Sequence, residues 1–156
     1  MKQLFNFKTL VMVMFAVALL GFTSCTKSDD RDQFVGDYNL RATGNLTLTV
    51  NGQNYSEAIN QTTTISIYKT AEESIVEVNG YYDCKAFVSG NTISMDPMTG
   101  TQTTNDGITY QMIVTPRRGA LNGSVLTFIS DITGTAYYQG NSFPISGMIY
   151  NEATKR

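Results

Sequence analysis

From residue 35 onward, apolar and polar residues alternate with a period of two, which is typical of β-strands that bury one face. Leu46, Leu48 and Val50 lie on one face of such a segment, and Thr47 and Thr49 lie on the other. No stretch of this region has a helical period, and threonine and tyrosine, which favour strands, are frequent. The predicted strands are 35–50, 54–69, 74–78, 81–89, 92–103, 108–120, 124–138 and 142–151.

Short polar turns separate these segments. Asn51-Gly52, Asn79-Gly80 and Asn122-Gly123 are dipeptides that favour type I′ hairpin turns, because both central residues of such a turn need positive φ. Seven hairpin connections in all would join eight strands. The other four turns are Ala71-Glu72-Glu73, Gly90-Asn91, Asn105-Asp106-Gly107 and Gly140-Asn141. Gly44 and Gly134 lie within strands and are expected to mark bends or bulges.

A meander of eight strands has two exposed edges unless its first strand pairs with its last. We therefore predict an all-β domain that is an eight-stranded antiparallel up-and-down barrel. The interior of such a barrel holds side chains or one small ligand. A transmembrane barrel is a rival prediction. It requires an apolar lipid-facing band, whereas one face of most strands here carries Thr, Ser, Gln and Asn.

The N-terminal segment has a different pattern. Lys2 and Lys8 precede an apolar run at residues 10–20, and a charged stretch follows at 27–32. This is the layout of a secretory signal peptide. The apolar run is shorter than the roughly 20 residues that a membrane-spanning helix needs. The predicted organisation is a signal peptide at 1–24, a tether at 25–33 and the barrel domain at 34–156.

Cys25 directly follows two small residues, Thr23 and Ser24, and this arrangement resembles the signal of bacterial lipoproteins. The resemblance implies that a lipid is attached to the Cys25 thiol and that cleavage makes Cys25 the first residue of the mature chain. Two or more acyl chains hold a protein stably on a membrane. The alternative is an ordinary cysteine near a type I cleavage site.

The residues after Cys25 resemble a surface-export tag of lipoproteins from Gram-negative gut bacteria. The residues of the tag would be Lys27, Ser28, Asp29 and Asp30. The resemblance implies an outer-membrane protein that is held by lipid and exposed at the cell surface.

Composition narrows the partners. Thirteen acidic and nine basic residues follow residue 24, which gives a net charge of about −4. This acidity argues against a nucleic-acid partner, which calls for a basic face. The chain has two cysteines. If Cys25 carries lipid, Cys84 has no partner within the chain and is expected to be a small buried residue.

Gly36 and Tyr38, within Phe34-Val-Gly-Asp-Tyr38, resemble the Gly-x-Trp motif that opens lipocalin-like, or calycin-like, barrels, with Tyr in place of Trp. The resemblance implies that Tyr38 plugs the base of the barrel. It also implies that a basic side chain of the last strand, Lys155 or Arg156, covers this plug. The C-terminal segment is similar to the closing strand of calycin-like lipoproteins of Gram-negative gut bacteria. Lipocalins have a long loop between their first two strands, for which Asn51-Gly52 leaves no room.

We expect neither catalysis nor a cofactor or metal. The chain contains no histidine, which excludes Ser-His and Cys-His dyads and the commonest metal ligand. Glu77 and Asp131 are acidic residues within strands and are expected on the solvent face. An enzyme would require one of these two carboxylates to point inward.

The interior remains as the candidate site. Leu48, Tyr110, Met112 and Phe128 lie on the apolar faces of long strands and are predicted to line a cavity for a small apolar or amphipathic ligand. The alternative is that these side chains fill the barrel. The domain would then be a structural or interaction module, such as an accessory subunit of an outer-membrane assembly. The predicted partners are the membrane, through lipid on Cys25, and either a small apolar ligand or a surface protein.

Overall fold

The structure is a computed structural model that describes residues 28–105 and 107–156. The predicted signal peptide, the lipidation site Cys25 and the tag residue Lys27 lie outside the described residues. Apart from one 3₁₀ helix, Asp30–Gln33, the elements are β-strands, so the all-β prediction is confirmed. The strands are β1 Gly36–Val50, β2 Gln53–Lys69, β3 Ile75–Gly80, β4 Cys84–Ser89, β5 Thr92–Met95, β6 Met98–Thr103, β7 Thr109–Pro116, β8 Gly119–Asn122, β9 Val125–Tyr138 and β10 Asn141–Lys155. No helix in the described part of the chain has the length and apolar composition needed to cross a bilayer.

The predicted count of eight strands was wrong, because two of the predicted strands are each interrupted. The segment 92–103 divides into β5 and β6 around Pro97, which has no N–H to donate to a ladder. The segment 108–120 divides into β7 and β8 around Arg117 and Arg118. The pairs β5–β8 and β6–β7 share a single register, so the two long segments pair at both ends and separate only in the middle.

The ten strands form one antiparallel sheet that closes into a ring. Neighbours along the ring are β10-β1-β2-β3-β4-β5-β8-β9, and β9 in turn pairs with β10. The ladder between β1 and β10 runs from Tyr38 opposite Lys155 to Leu48 opposite Ile145. The prediction that the first and last strands meet is therefore confirmed.

The ring is complete in one half of the molecule only. β3 pairs with β2 from Ile65 to Lys69, and the preceding part of β2 has β1 as its one neighbour among the described strands. β6 likewise has β7 as its one neighbour there. We call the half that contains β3, β4, β5 and β8 the closed half. The open half is a sheet in the order β2-β1-β10-β9-β7-β6, with a gap in its wall between β2 and β6.

Large side chains fill the closed half. Alternate residues of each strand point inward, as the sequence pattern predicts, and form one buried cluster. Its largest members include Phe34, Tyr38, Leu40, Ile65, Ile67, Ile93, Leu126 and Phe128. A second, smaller cluster of Ala42, Ile132 and Ile149 adjoins the open half, where the partly buried Leu46 and Met112 pack against it.

A chain of polar side chains crosses the interior between these apolar groups. The Tyr82 hydroxyl donates to Asn151 Oδ1 at 3.0 Å, and Asn151 Nδ2 donates to Ser130 Oγ at 3.1 Å. Asn151 and Ser130 are fully buried. Because each buried polar group has a partner, the desolvation penalty of an unpaired group is avoided.

Candidate functional site

A cavity of about 450 Å³ lies on the inner face of the open half, between the β1–β2 hairpin and the β6–β7 hairpin. We call it the trough. Its volume falls within the range of about 300–1,000 Å³ that is usual for small-molecule sites. The apolar side chains that line it are Leu46, Leu48, Tyr55, Tyr110, Met112 and Ile145.

Three of the four predicted ligand-binding residues, Leu48, Tyr110 and Met112, line the trough together. Phe128 does not. It is buried in the closed half, where its ring meets Tyr82 edge-on with centroids 5.7 Å apart. Phe128 faces the interior as predicted, but it lies near the start of β9, whereas the trough lies farther along the ring axis. The two alternatives, a filled and a hollow interior, therefore each describe one half of the molecule.

The β1–β2 hairpin brings to the trough residues that sequence reasoning missed. The Asn51-Gly52 turn sets a register in which Tyr55 lies opposite Leu48 and Glu57 lies opposite Leu46. Ile145 on β10 lies opposite Leu48 on the other side. The turn dipeptide fixes this register, so Tyr55 and Glu57 could have been found by pairing residues outward from the turn.

Three glycines in the sheet of the open half allow neighbouring strands to approach closely. A Cβ at Gly134 would lie 2.2 Å from Gln111 O, and a Cβ at Gly147 would lie 2.4 Å from Asn45 O. Gly44 is similar, with Met148 O at 2.1 Å from the position of a Cβ. Neighbouring backbones approach so closely at these positions that no other residue fits without a shift of the strands. Gly44 and Gly134 were expected as bends, and Gly147 was not.

The lining is amphipathic. Glu57, Gln102 and Thr104 add polar groups to the apolar set. Of the lining residues that the structure describes, Glu57 alone carries a formal charge. An apolar interior with one carboxylate suits a ligand that has an apolar part and a polar or cationic group.

The predicted plug residue Tyr38 lies at the base of the closed half. It is fully buried, its hydroxyl donates to Phe34 O at 2.7 Å, and burial raises its pKa to about 12. Lys155 Nζ lies 6.0 Å from the centroid of the Tyr38 ring and donates to Gln33 O at 3.3 Å. A Cβ at Gly36 would lie 2.8 Å from Lys155 Cε, so the glycine makes room for this lysine.

Of the two basic residues considered for covering Tyr38, Lys155 lies over the ring, and Arg156 does not. The Arg156 guanidinium donates instead to Asn39 Oδ1 at 2.8 Å. Asn39 follows the inward-facing Tyr38 and points to the outer face, so the Arg156 side chain lies outside the ring.

The described part of the predicted export tag is bound to the base of the closed half. Asp29 pairs with Arg31 at 2.7 Å and with Lys69 at 3.0 Å, and these hydrogen bonds hold the pKa of the Asp29 carboxyl well below its usual range. Asp30 Oδ2 accepts a hydrogen bond from Gly90 N at 2.9 Å. Ser28 lies beside them. These contacts fix the chain from residue 29 onward.

Arg31 binds this segment to the loop between β2 and β3, and this role was not predicted from the sequence. Its guanidinium donates to Thr70 O at 3.1 Å and to Glu72 O at 2.7 Å, in the loop between β2 and β3. A planar guanidinium can donate to several acceptors at once. No sequence motif indicates this role, because the acceptors are backbone carbonyls distant in the chain.

The two acidic residues considered for catalysis, Glu77 and Asp131, lie apart from the trough, and so does Cys84. Glu77 is exposed, as expected. Asp131 accepts two hydrogen bonds from Arg117, at 2.7 and 2.8 Å, which lower the pKa of its carboxyl. Cys84 is half-buried, and burial raises the pKa of its thiol to about 11. Within residues 28–105 and 107–156, no three acidic or cysteine side chains are grouped to hold a metal ion.

Comparison with known proteins gives no assignment, since no known family matches the chain and no curated protein matches it significantly. Inference about function therefore depends on the trough and the elements around it.

Proposed function

We propose that the protein is a lipid-anchored surface protein of the bacterial outer membrane that binds a small apolar or amphipathic ligand in the trough, without catalysis. The observation that supports this proposal is the cavity of about 450 Å³, with its apolar lining and single carboxylate. The free energy of binding is favourable when an apolar group displaces water from a cavity lined by aromatic, Met and Leu side chains.

We also propose that the ring is a calycin-like barrel of eight strands, in which β5 with β6 and β7 with β8 each count as one strand. The shared register of the two interrupted pairs supports this count. The position of Lys155 over Tyr38 supports the resemblance, since a basic residue of the last strand covers the aromatic plug in lipocalins.

The tether contacts support an orientation on the membrane. Cys25 precedes Ser28 by three residues, and an extended chain spans at most about 3.6 Å per residue. A lipid on Cys25 would therefore hold the base of the closed half within roughly 11 Å of the acyl attachment point. Because the trough lies in the opposite half of the ring, it would face away from the membrane and toward ligands in the surroundings.

A solid-core interaction module is the rival proposal, and it calls for a contiguous apolar patch on the exterior. Exposed aromatic residues on the outer face include Tyr68, Phe87 and Tyr150. They lie on β2, β4 and β10, and a further strand separates each of them from the next around the ring. Met148, which is 53% exposed, lies two residues before Tyr150 on β10, so these two residues form a small apolar pair on the outer face. The volume of the trough favours it over this pair as the binding site.

An apolar naphthylamine dye, which fluoresces strongly in apolar surroundings, tests the proposal. Met112→Asn places an amide in the trough, and we expect it to weaken dye binding by about tenfold, because one buried apolar side chain is worth roughly 1.5–3 kcal/mol. Ile113→Asn is the matched control, since Ile113 follows on the same strand, points outward and is 46% exposed. Dye binding that is equal in both variants would refute a ligand site in the trough.

A further inference from the structure

The gap in the wall of the open half is about as wide as two missing strands. In the closed half, β3 and β4 lie between β2 and β5, and β6 continues the segment that begins with β5. Both β3 and β4 end before the open half, so the gap between β2 and β6 corresponds to two missing strands. With a strand spacing of about 4.8 Å, the edges would lie roughly 14 Å apart. An extended chain fits into such a gap.

The β2 edge of this gap has one feature that protects against strand pairing, the inward-facing carboxylate of Glu57. Natural proteins protect exposed edges with lysine or other charged side chains, inward-pointing charges, proline, bulges or very short strands. Residues 53–64 include no Lys, Arg, Pro or Gly. Their ladder with β1 continues from Gln53 to Ile67 without a bulge. A long and regular edge is a template for another strand, and Glu57 makes this template selective for a strand that carries a cation at the facing position.

The backbone groups that point into the gap can be identified from the ladder. Val50 and Gln53 flank a two-residue turn and therefore bond to each other, so odd-numbered residues of β2 bond to β1. On the other side Thr70 N donates to Ile75 O at 3.4 Å, which agrees with this alternation. The N–H and C=O groups directed into the gap are those of Asn54, Ser56, Ala58, Asn60 and Thr62.

We propose that the ligand of the trough is an extended peptide that pairs, antiparallel, with β2 between Asn54 and Thr62. This inference rests on the proposed function of the trough. Every second side chain of the peptide would point inward, beside Tyr55 and Ile59. Glu57, also on this inward face, is the single charge of the described lining, and it favours a lysine or arginine at the facing position of the peptide.

The same charge disfavours a second copy of the chain as the occupant. Two β2 edges that pair around a twofold axis at Ala58 place Glu57 of each copy diagonal to Glu57 of the other. An axis at Glu57 places the two carboxylates directly opposite, where like charges destabilise a strand pair. A second copy would also bring its own β1 and β10, which the gap of two strands does not hold. A single extended peptide provides hydrogen-bond partners for the backbone groups of the β2 edge and supplies a charge complementary to Glu57.

The probe is a capped, fluorescein-labelled peptide of sequence Thr-Val-Thr-Lys-Thr-Val-Thr. When Val and Lys point into the trough, the threonine amides face β2. N-methylation of the three inner positions Val, Lys and Val therefore leaves the β2-facing amides intact, and N-methylation of the threonines removes them. We expect the threonine-methylated peptide to bind at least about tenfold more weakly than the other two. Equal binding of the two methylated peptides would overturn the proposal.

Ala58→Pro tests the same contact from the protein. Proline removes an N–H that points into the gap and leaves the β1 ladder intact. We expect peptide affinity to fall about tenfold or more. Ala58→Val keeps the N–H and is the matched control, so it should bind the peptide as the wild type does. An unchanged affinity in Ala58→Pro would overturn the proposal.

Two further measurements separate the possible failures. Dye binding must survive in Ala58→Pro, which shows that the variant folds and that the trough is intact.

If the dye binds in the trough but no peptide pairs with β2, this inference fails and the proposed function stands. A wild-type dimer that Ala58→Pro converts to a monomer, without peptide binding, would identify a second copy as the occupant and would also overturn the inference. If the peptide binds but Met112→Asn leaves dye binding unchanged, the proposed apolar site is refuted instead.

Discussion

Cys84 shows how burial controls the chemistry of a single side chain. It lies at the start of β4 and packs against the core of the closed half. Burial first, and the nearby carboxylates of Asp96 and Asp83 second, disfavour the charged thiolate and raise the pKa of the thiol from 9.0 to about 11. Since the thiolate is the reactive form, the environment of Cys84 suppresses its reactivity.

We predict that iodoacetamide at pH 8 alkylates Cys84 at least about tenfold more slowly in the folded protein than in concentrated urea. Mass spectrometry of the peptide that contains Cys84 measures this rate separately from any reaction at Cys25. The folded pKa is higher than the unfolded one, so the contribution of this thiol to the free energy of unfolding is complete below pH 9. That contribution is lost as the pH rises through 11. Equal alkylation rates in the two states would contradict the assignment.

At the scale of the strands, glycines allow close backbone approaches in the sheet of the open half. Gly134 on β9 lies opposite Met112 on β7, which in turn lies opposite Gly100 on β6. The two glycines therefore lie in one row across the sheet. Their surroundings differ, because a Cβ at Gly134 would meet Gln111 O at 2.2 Å, whereas a Cβ at Gly100 would meet no atom within 4 Å.

We predict that Gly134→Ala lowers the free energy of unfolding by about 1–3 kcal/mol, because the strands must move apart to admit a methyl group. Neither glycine has a positive φ, so the two positions differ only in the room that is available for a Cβ atom. Gly100→Ala is the control and should change stability by less than about 0.5 kcal/mol. Urea unfolding at constant m-value measures both variants. Similar losses in the two variants would contradict a role for the close approach, because the reduced entropy of the unfolded chain with alanine favours folding at both positions.

The strands themselves could be predicted, but their lengths relative to one another could not. Alternation and turn dipeptides place each of the long hairpins close to where it lies, because both signals are local. The gap beside β2 depends on where β3 and β4 stop, and a strand end that leaves a neighbour unpaired has no signature in its own sequence. The sequence of residues 53–64 alternates apolar and polar residues poorly, which is compatible with the edge position and insufficient to predict it.

At the scale of the whole molecule, the division into a filled and an open half explains which site residues were predictable. Leu48, Tyr110 and Met112 share an apolar inner face with Phe128, and periodicity alone cannot distinguish them. Phe128 differs from the other three residues in its position along the ring axis. That position depends on the register of every strand pair, which the periodicity of a single strand does not give. Glu57 was missed because the cavity residues were chosen by their apolar character, which a carboxylate lacks.

The orientation of the molecule on a membrane would depend on the proposed anchor at Cys25. The 3₁₀ helix, Arg31 and Asp30 bind the N-terminal segment to the base of the closed half, so any attachment at Cys25 acts on the end of the ring that is opposite the trough. A soluble form of the same domain would present the trough in all directions. A lipid-anchored form holds it away from the surface, where an extended peptide can reach the gap.

We predict that Cys25→Ser abolishes incorporation of radioactive palmitate, because the thiol that accepts the lipid is lost. The variant should also move from the membrane fraction to the soluble fraction, since no acyl chains remain to hold it. Cys84→Ser is the matched control and should keep both the label and the membrane location, as Cys84 is packed within the ring. Labelling that persists in Cys25→Ser would contradict the lipoprotein assignment and, with it, the orientation proposed for the trough. It would leave the trough itself and the β2 edge as binding surfaces, because both are formed by residues that follow the tether.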